Sequence, residues 1–279
     1  MQILSKHLYI VSTPIGNLDD ITFRAIDVLK NSDFILCEDT RRTIKLLSYY
    51  KIKKKLVSYH KFNENKQLSK IIEYFNEGKI LSLVSDAGTP MLSDPGRLLV
   101  NHCLKNGIEI TPIPGVSSIT SAISVSGFSD QFLFYGFLPK TEKELEKILL
   151  SLSNYPFTLV FFITSKKLNF YIKSLKKFFS GRKIMIAKEI TKIYESFIRK
   201  SVDELDIFKD PLKGELTVVI SEKNKKDKTY DEEKIVNKIK KYLKKYSLKD
   251  TVNLILETEK INKKKVYDLC LKTKNEKNN

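Results

Sequence analysis

A chain of 279 residues with 42% hydrophobic and 30% charged residues has enough apolar material for two folded domains, which excludes a disordered or fibrous protein. The net charge of +17 favours an anionic partner such as nucleic acid, although only six of the 50 basic residues are arginine, as A/T-rich coding drift would also produce. Cys37, Cys103 and Cys270 are too widely spaced for a disulfide framework or a metal-ligand pair, no export signal opens the chain, and the longest apolar stretch, 157–163, is too short to span a bilayer. The expectation is a cytoplasmic, reduced, metal-free protein.

In chain order, His7-Leu8-Tyr9-Ile10-Val11 predicts a strand ending in Ser12-Thr13-Pro14-Ile15-Gly16-Asn17. Asp19 or Asp20 is expected to cap a helix through about Lys30, with Ile21, Ala25, Ile26 and Leu29 on its apolar face. A second strand, 34–37, stops at Glu38-Asp39-Thr40-Arg41-Arg42-Thr43, which reads as a charged loop. A strand at 56–60 and a helix over 65–77 follow. The stretch that organises the rest is 81–96, where an apolar strand stops abruptly at Ser85-Asp86-Ala87-Gly88-Thr89-Pro90. Small residues there let backbone approach a ligand, and Asp94, ahead of Pro95-Gly96, is expected to cap a helix to about Lys105. A fifth strand, 108–113, leads into Pro114-Gly115-Val116-Ser117-Ser118 and another helix.

Strands alternating with helices predict an α/β fold with a mostly parallel sheet. The loops 13–17, 38–43, 85–90 and 114–118 then share the edge at the strands' C-terminal ends, where such sheets bind ligands. After Gly127 a second, more antiparallel set begins, with strands at 132–139, 157–163, 183–187, 194–198 and 215–220 and helices at 142–151 and 168–178. The expected domains are 1–118, 119–222 and a tail module, 223–279. The chain beyond Gly214 has no glycine or proline, and Ile235, Ile239 and Leu243, then Leu248, Val252, Ile255 and Leu256 behind a Ser247/Asp250 capping pattern, predict helices. Asn262 is expected to cap a last helix carrying Val266 and Leu269. Residues 221–279 carry 18 lysines against 10 acidic groups, a concentration that suits either nucleic acid or a solvated face.

No Gly-x-Gly-x-x-Gly, P-loop or Gly-x-Ser-x-Gly pattern occurs, and three histidines leave little for a triad or a metal site. Thr13-Pro14-Ile15-Gly16-Asn17, Glu38-Asp39-Thr40-Arg41, Ser85 to Pro90 with Asp94-Pro95-Gly96, and Pro114 to Ser118 instead resemble the tetrapyrrole-methylase superfamily. Within it the chain is most similar to the small-subunit ribosomal RNA ribose 2′-O-methyltransferase (type I) branch. That likeness continues through Gly136-Phe137-Leu138-Pro139, Glu189-Ile190-Thr191-Lys192, Lys213-Gly214-Glu215 and Lys263-Lys264-Lys265-Val266-Tyr267.

The resemblance implies a two-domain tetrapyrrole-methylase-like fold with a small C-terminal helical module, S-adenosylmethionine (SAM) folded in the inter-domain cleft, and a homodimer. It also implies methyl transfer to the ribose 2′-OH of a cytidine in the decoding region of 16S rRNA, in the small subunit (30S) or its free RNA. By motif, SAM touches Pro14, Asp86, Ala87, Gly88, Thr89, Ser117, Ser118 and Ile119, joined by Phe162 and Ile163. The sulfonium already activates the methyl group, so the protein has to align the attacking oxygen and remove its proton. The candidates are Glu38 and Asp39, with Arg41 as a phosphate or carboxylate partner, and Glu189 with Lys192, a base if burial lowers its pKa.

Where the branch reads Tyr-Glu-x-x-His-Arg, this chain reads Phe162-Ile163-Thr164-Ser165-Lys166-Lys167, losing the acid and the imidazole. Lys188 likewise replaces the usual arginine before Glu189. Two other readings are a porphyrinogen or precorrin C-methyltransferase, against which stand the Asp86-Ala87-Gly88-Thr89-Pro90 loop, the basic tail and the +17 charge, and an rRNA-binding assembly factor without the chemistry.

Overall fold

The computed structural model describes residues 6–210, 212–223, 232–259, 261 and 263–275. The chain divides into two compact units, Met1–Lys223 and Asn224–Asn279.

The first unit contains two five-stranded sheets. Strands β1 (His7–Val11), β2 (Phe34–Cys37), β3 (Lys55–Ser58), β4 (Ile80–Val84) and β5 (Glu109–Ile113) form a sheet ordered β3-β2-β4-β1-β5, parallel throughout. Every residue of β1 is buried, as expected of a parallel strand covered on both faces. The period of two divides its side chains: Leu8 and Ile10 enter one apolar cluster with Leu36, Leu81 and Leu83, whereas Tyr9 and Val11 enter another with Ile35, Cys37 and Val84. Helices α1 (Phe23–Asn31), α2 (Thr40–Tyr49), α3 (Glu64–Asn76) and α4 (Arg97–Lys105) connect these strands.

Four local expectations change. Asp19 and Asp20 do not cap α1; they lie in a short 3-10 turn that Asn17 caps, and Thr22 is the residue whose hydroxyl accepts the Ala25 N–H at 3.1 Å. Residues 40–49 are helical rather than a charged loop, because Asp39 takes the N-cap position and receives the Arg41 N–H at 2.9 Å. Asp94 caps nothing: α4 begins after Gly96 (φ +134°), without a side-chain cap. The third strand also ends at Ser58, leaving Tyr59 and His60 outside it.

Helix α5 (Ser118–Ser126) leads to the second sheet. Its strands are β6 (Phe132–Phe137), β7 (Thr158–Thr164), β8 (Lys183–Lys188), β9 (Ser196–Ser201) and β10 (Glu215–Ile220), ordered β6-β7-β10-β8-β9. Only β6 and β7 are parallel. Helices α6 (Glu142–Ser153) and α7 (Leu168–Phe179) supply Leu145, Leu149, Ile172 and Leu175 to a core with Leu159, Phe161, Ile186 and Val218 from one face of the sheet. The opposite face, through Val160, Met185, Ala187 and Val219, packs on Ile15, Ile119, Ala122 and Ile190. Loops at the C-terminal edge of the first sheet are thus cemented to the second sheet by apolar contact.

In the second unit, α8 (Glu232–Tyr242), α9 (Leu248–Thr258) and α10 (Lys263–Asn275) bury Ile235, Ile239, Val252, Ile255, Val266, Leu269 and Cys270 together. Ser247 caps α9, accepting the Asp250 N–H at 3.2 Å, as its spacing implied. The expected Asn262 cap lies outside the described residues. Among the described residues no helix is long and apolar enough to cross a membrane.

The loops after β1 and β5 touch at one point with no slack. A Cβ on Gly115 would stand 2.8 Å from the Cβ of Ser12, an atom anchored to backbone. Gly115→Ala is expected to cost about 1–3 kcal/mol, read as a lower denaturant midpoint at unchanged slope.

Candidate active site

The four edge loops of the first sheet interlock before they meet anything else. Thr13 and Gly88 exchange two backbone hydrogen bonds of 2.9 Å, joining the loops after β1 and β4. Gly88 adopts φ +80°, which a side chain would strain. The hydroxyls of Ser12 and Thr89 lie 2.9 Å apart, and Thr13 Oγ1 donates to the Ser85 carbonyl at 3.2 Å. Asp86 reaches sideways: its Oδ1 accepts the Asp39 N–H at 3.0 Å, and its Oδ2 lies 3.5 Å from Arg42 Nε. One carboxylate thereby pins the start of α2 to the end of β4.

Between this edge and the second sheet opens a cavity of about 570 Å³, within the size range of small-ligand sites. Asp86, Ala87, Gly88, Thr89, Ser117, Ser118, Ile119, Phe162, Ile163 and Glu38 all line it. Pro14, Asp39, Arg41, Glu189 and Lys192 are not among its lining residues. The wall also holds residues that the sequence reading left unassigned: Ile15 and Arg42, the Leu92-Ser93-Asp94 segment, Phe137, Lys166, Ile190 and Glu215. Arg42 and Asp94 sit inside motifs already singled out, but their side-chain direction depends on turns that spacing does not reveal.

The aromatic wall has a local cause. A register shift between Phe134 and Gly136 bulges β6, and Phe134 and Phe137 both pack on Phe162, with ring centroids 4.9 and 5.4 Å away. At Gly136 (φ +92°) a Cβ would come 3.1 Å from Ser93 Oγ, so the bulge rests against the loop that carries Asp94. That loop is bent, with positive φ at Met91 (70°), Ser93 (75°) and Gly96 (134°). Such conformations cost about 1–3 kcal/mol at a non-glycine residue and persist where the surroundings impose them. The Gly96 N–H, donating to Glu64 Oε1 at 2.9 Å, is one such restraint.

Charges in and around the cavity differ sharply. Asp39 is held down to about 2 by hydrogen bonds from the Arg41 side chain (2.7 and 3.1 Å) and backbone, so it is a poor proton acceptor. Arg41 is committed to the same pair. Burial, with Asp86 nearby, raises Glu38. Burial, then the charges of Glu38 and Asp86, pushes Asp94 up to about 6, while a hydrogen bond from Ser85 opposes the rise.

The expectation that burial frees Lys192 as a base is corrected here. Burial does lower its proton affinity, but bonds of 3.0 Å to Glu189 Oε1 and to Glu215 Oε2 outweigh it and leave the amine above its ordinary value. Glu189 accepts the Glu215 N–H at 2.8 Å as well, and these bonds together hold it below the usual carboxylate range despite burial. Glu189 (φ +51°) and Thr191 (φ +67°) make a tight turn whose Thr191 hydroxyl receives the Asn17 N–H at 3.1 Å. The segment ties the two sheets' loops together.

Apolar walls for an adenine ring, carboxylates facing a cationic centre and ribose hydroxyls, and small-residue loops rich in backbone N–H groups suit SAM chemically. A cleft of this composition between a parallel and a mixed sheet defines a methylase of the tetrapyrrole type. The sequence pattern of the tetrapyrrole (corrin/porphyrin) methylases matches residues 7–206. The uroporphyrin-III C-methyltransferase of Thermus thermophilus, complexed with S-adenosylhomocysteine, shares the fold at a TM-score of 0.57 and 16% identity, over 77% of this chain and 97% of that one. The "Ribosomal RNA small subunit methyltransferase I" of Mesomycoplasma conjunctivae is 43% identical over 80% of this chain and 94% of its own. The protein of the same name from Neisseria meningitidis serogroup B is 36% identical over 96% and 94%. The chain belongs to the ribosomal RNA small subunit methyltransferase I family.

The raised Asp94 carboxyl has a consequence for stability. A folded-state value above the ordinary 3.8 means that the folded protein binds the proton more tightly, so stability falls as pH rises from about 4 to about 6 and then levels. Asp94→Asn is therefore expected to raise stability above pH 7 by about 1–2 kcal/mol, allowing for solvent screening, and to leave it unchanged near pH 3. Thermal midpoints of both proteins across pH 3–8 measure this.

Proposed function

We propose that the protein transfers a methyl group from SAM to the ribose 2′-OH of a cytidine in the decoding region of 16S rRNA, working in the cytoplasm as a homodimer. The observation that carries this reading is the cavity where the small-residue loops of the first sheet face the aromatic wall of the second, in a chain whose relatives carry a ribosomal RNA methyltransferase name. Asp86, Ala87, Gly88 and Thr89 on one side, and Ser117, Ser118 and Ile119 at the start of α5, are the groups we assign to the methyl donor, and Pro14 is assigned with them by motif alone. Phe162 and Ile163 close the far side. When bound, the donor supplies a methyl group already activated by its sulfonium.

The chain's own work is alignment and exclusion of water. Rigid loops cross-linked through Thr13–Gly88 and Asp39–Asp86 hold the walls in place before any ligand arrives, and positioning of this kind is worth about 7–11 kcal/mol of a transfer barrier. Arg42 and Lys166 on the cavity wall, with Lys167 beside Lys166 in sequence, offer positive charge to an RNA phosphate where the branch carries a histidine and an arginine. The lysine-rich helical unit adds a second basic surface for rRNA.

The reading is tested on small subunits from cells lacking the gene, incubated with the protein and SAM and mapped for 2′-O-methylation. One new modified cytidine in the decoding region is expected. Transfer of label to uroporphyrinogen, or RNA binding without methyl transfer, would replace the reading by a tetrapyrrole methylase or an assembly factor respectively. Asp86→Ala is expected to weaken S-adenosylhomocysteine binding about 10–100-fold by calorimetry, since a charge-accepting partner is lost.

A further inference from the structure

Methyl transfer to a hydroxyl releases a proton, and the cavity holds few groups able to take it. Arg42 and Lys166 bring positive charge. Asp86 is occupied on both oxygens, by the Asp39 N–H and by Arg42, and Glu215 Oε2 receives the Lys192 ammonium. Glu38 and Asp94 remain, neither of them ion-paired among the described residues. Asp94 differs from Glu38 in how it is presented. It sits in a loop with positive φ at Met91, Ser93 and Gly96, braced by the Glu64 carboxylate on the Gly96 N–H and by the β6 bulge that rests against Ser93. A backbone bent at three of six residues that brings one carboxyl to a ligand cavity is the pattern of strain kept at a working site.

Resting on the methyltransferase reading, we infer that Asp94 is a catalytic residue, the group that takes the proton from the attacking hydroxyl, with Glu38 as the neighbouring carboxylate that tunes it. The O–H bond of the hydroxyl breaks and its proton passes to an Asp94 carboxylate oxygen. The oxygen's electron pair forms the new O–C bond as the methyl group's bond to sulfur breaks, and that pair stays on sulfur, leaving a neutral thioether. One positive and one negative charge disappear together, so the step balances.

The surroundings suit the task. Burial, Glu38 and Asp86 raise the proton affinity of Asp94, and Ser85 lowers it less. The carboxylate is then mostly ionised at pH 7 yet a better acceptor than an ordinary aspartate. Other groups that set this balance are Arg42 from α2, Lys166 from the turn after β7, and His60, which acts on Glu38.

The experiment compares wild type with Asp94→Asn, Asp94→Glu and Glu38→Gln. Three measurements are made: carboxyl-carbon NMR titration of the protein alone, calorimetric affinity for S-adenosylhomocysteine, and single-turnover methylation against pH. In the wild type, one aspartate resonance titrates near pH 6; it is absent in Asp94→Asn and moves to lower pH in Glu38→Gln. Single-turnover rates break at the same pH, and Asp94→Asn loses about 10²–10⁴-fold in rate together with the break. S-adenosylhomocysteine affinity stays within threefold. Asp94→Glu keeps a pH break, which carries the test if the asparagine variant does not fold. The inference is overturned if Asp94→Asn methylates within tenfold of wild type, if the break survives in it, or if no aspartate titrates near pH 6. Because the titration needs no RNA, a wild type that fails to methylate small subunits while showing it would strike only at the substrate reading.

Discussion

The contact on which the site depends is the apolar seam joining the first sheet's edge to the second sheet. Ile15, Ile119 and Ala122 meet Val160, Met185, Ala187, Ile190 and Val219, and each of these eight side chains is almost wholly buried. Burial at about 25 cal/mol per Å² makes such a seam hard to open, so the cavity beside it has walls at a settled distance. Polar links then add direction rather than adhesion. The Thr191 hydroxyl on the Asn17 N–H links the two sheets' loops, while the Lys192 ammonium between Glu189 and Glu215 fixes the turn that carries Thr191.

This arrangement divides labour among the charged residues. Those near the seam, Glu189 and Lys192, are satisfied by one another and by backbone, which makes them parts of the frame. Asp39 and Arg41 are likewise spent on starting a helix. Glu38 and Asp94 face the cavity without a salt bridge among the described residues, and burial, then neighbouring carboxylates, raises their proton affinities. Two neighbouring sets of carboxylates thus end with opposite proton affinities through environment alone.

The cavity is walled largely by small and apolar side chains. That is why a loop such as Ser85 to Pro90 carries so much of the family likeness: a larger residue at Gly88 would strain the backbone and crowd Ile15. The second sheet contributes through a bulge in β6 and the aromatic faces of Phe137 and Phe162. The exchange of an acid and an imidazole for Ile163 and Lys166 falls on this side and leaves the first sheet's small-residue loops untouched.

Much of the architecture is written in local pattern. Short apolar runs and turn punctuation locate nearly every strand, because burial on both faces of a parallel sheet asks for apolar residues at successive positions rather than alternate ones. Motif likeness places Asp86 to Thr89 and Ser117 to Ile119 near one another, since all follow strands of one parallel sheet. What pattern could not decide was the use of each charge. Asp94 looked like a helix cap and Lys192 like a base, and Asp39 hid the start of a helix, because an isolated carboxylate or ammonium has the same local signature in either role. Proton affinity and orientation come from partners distant in sequence, such as Glu215 for Lys192 and Glu38 for Asp94, and only the folded chain brings them together.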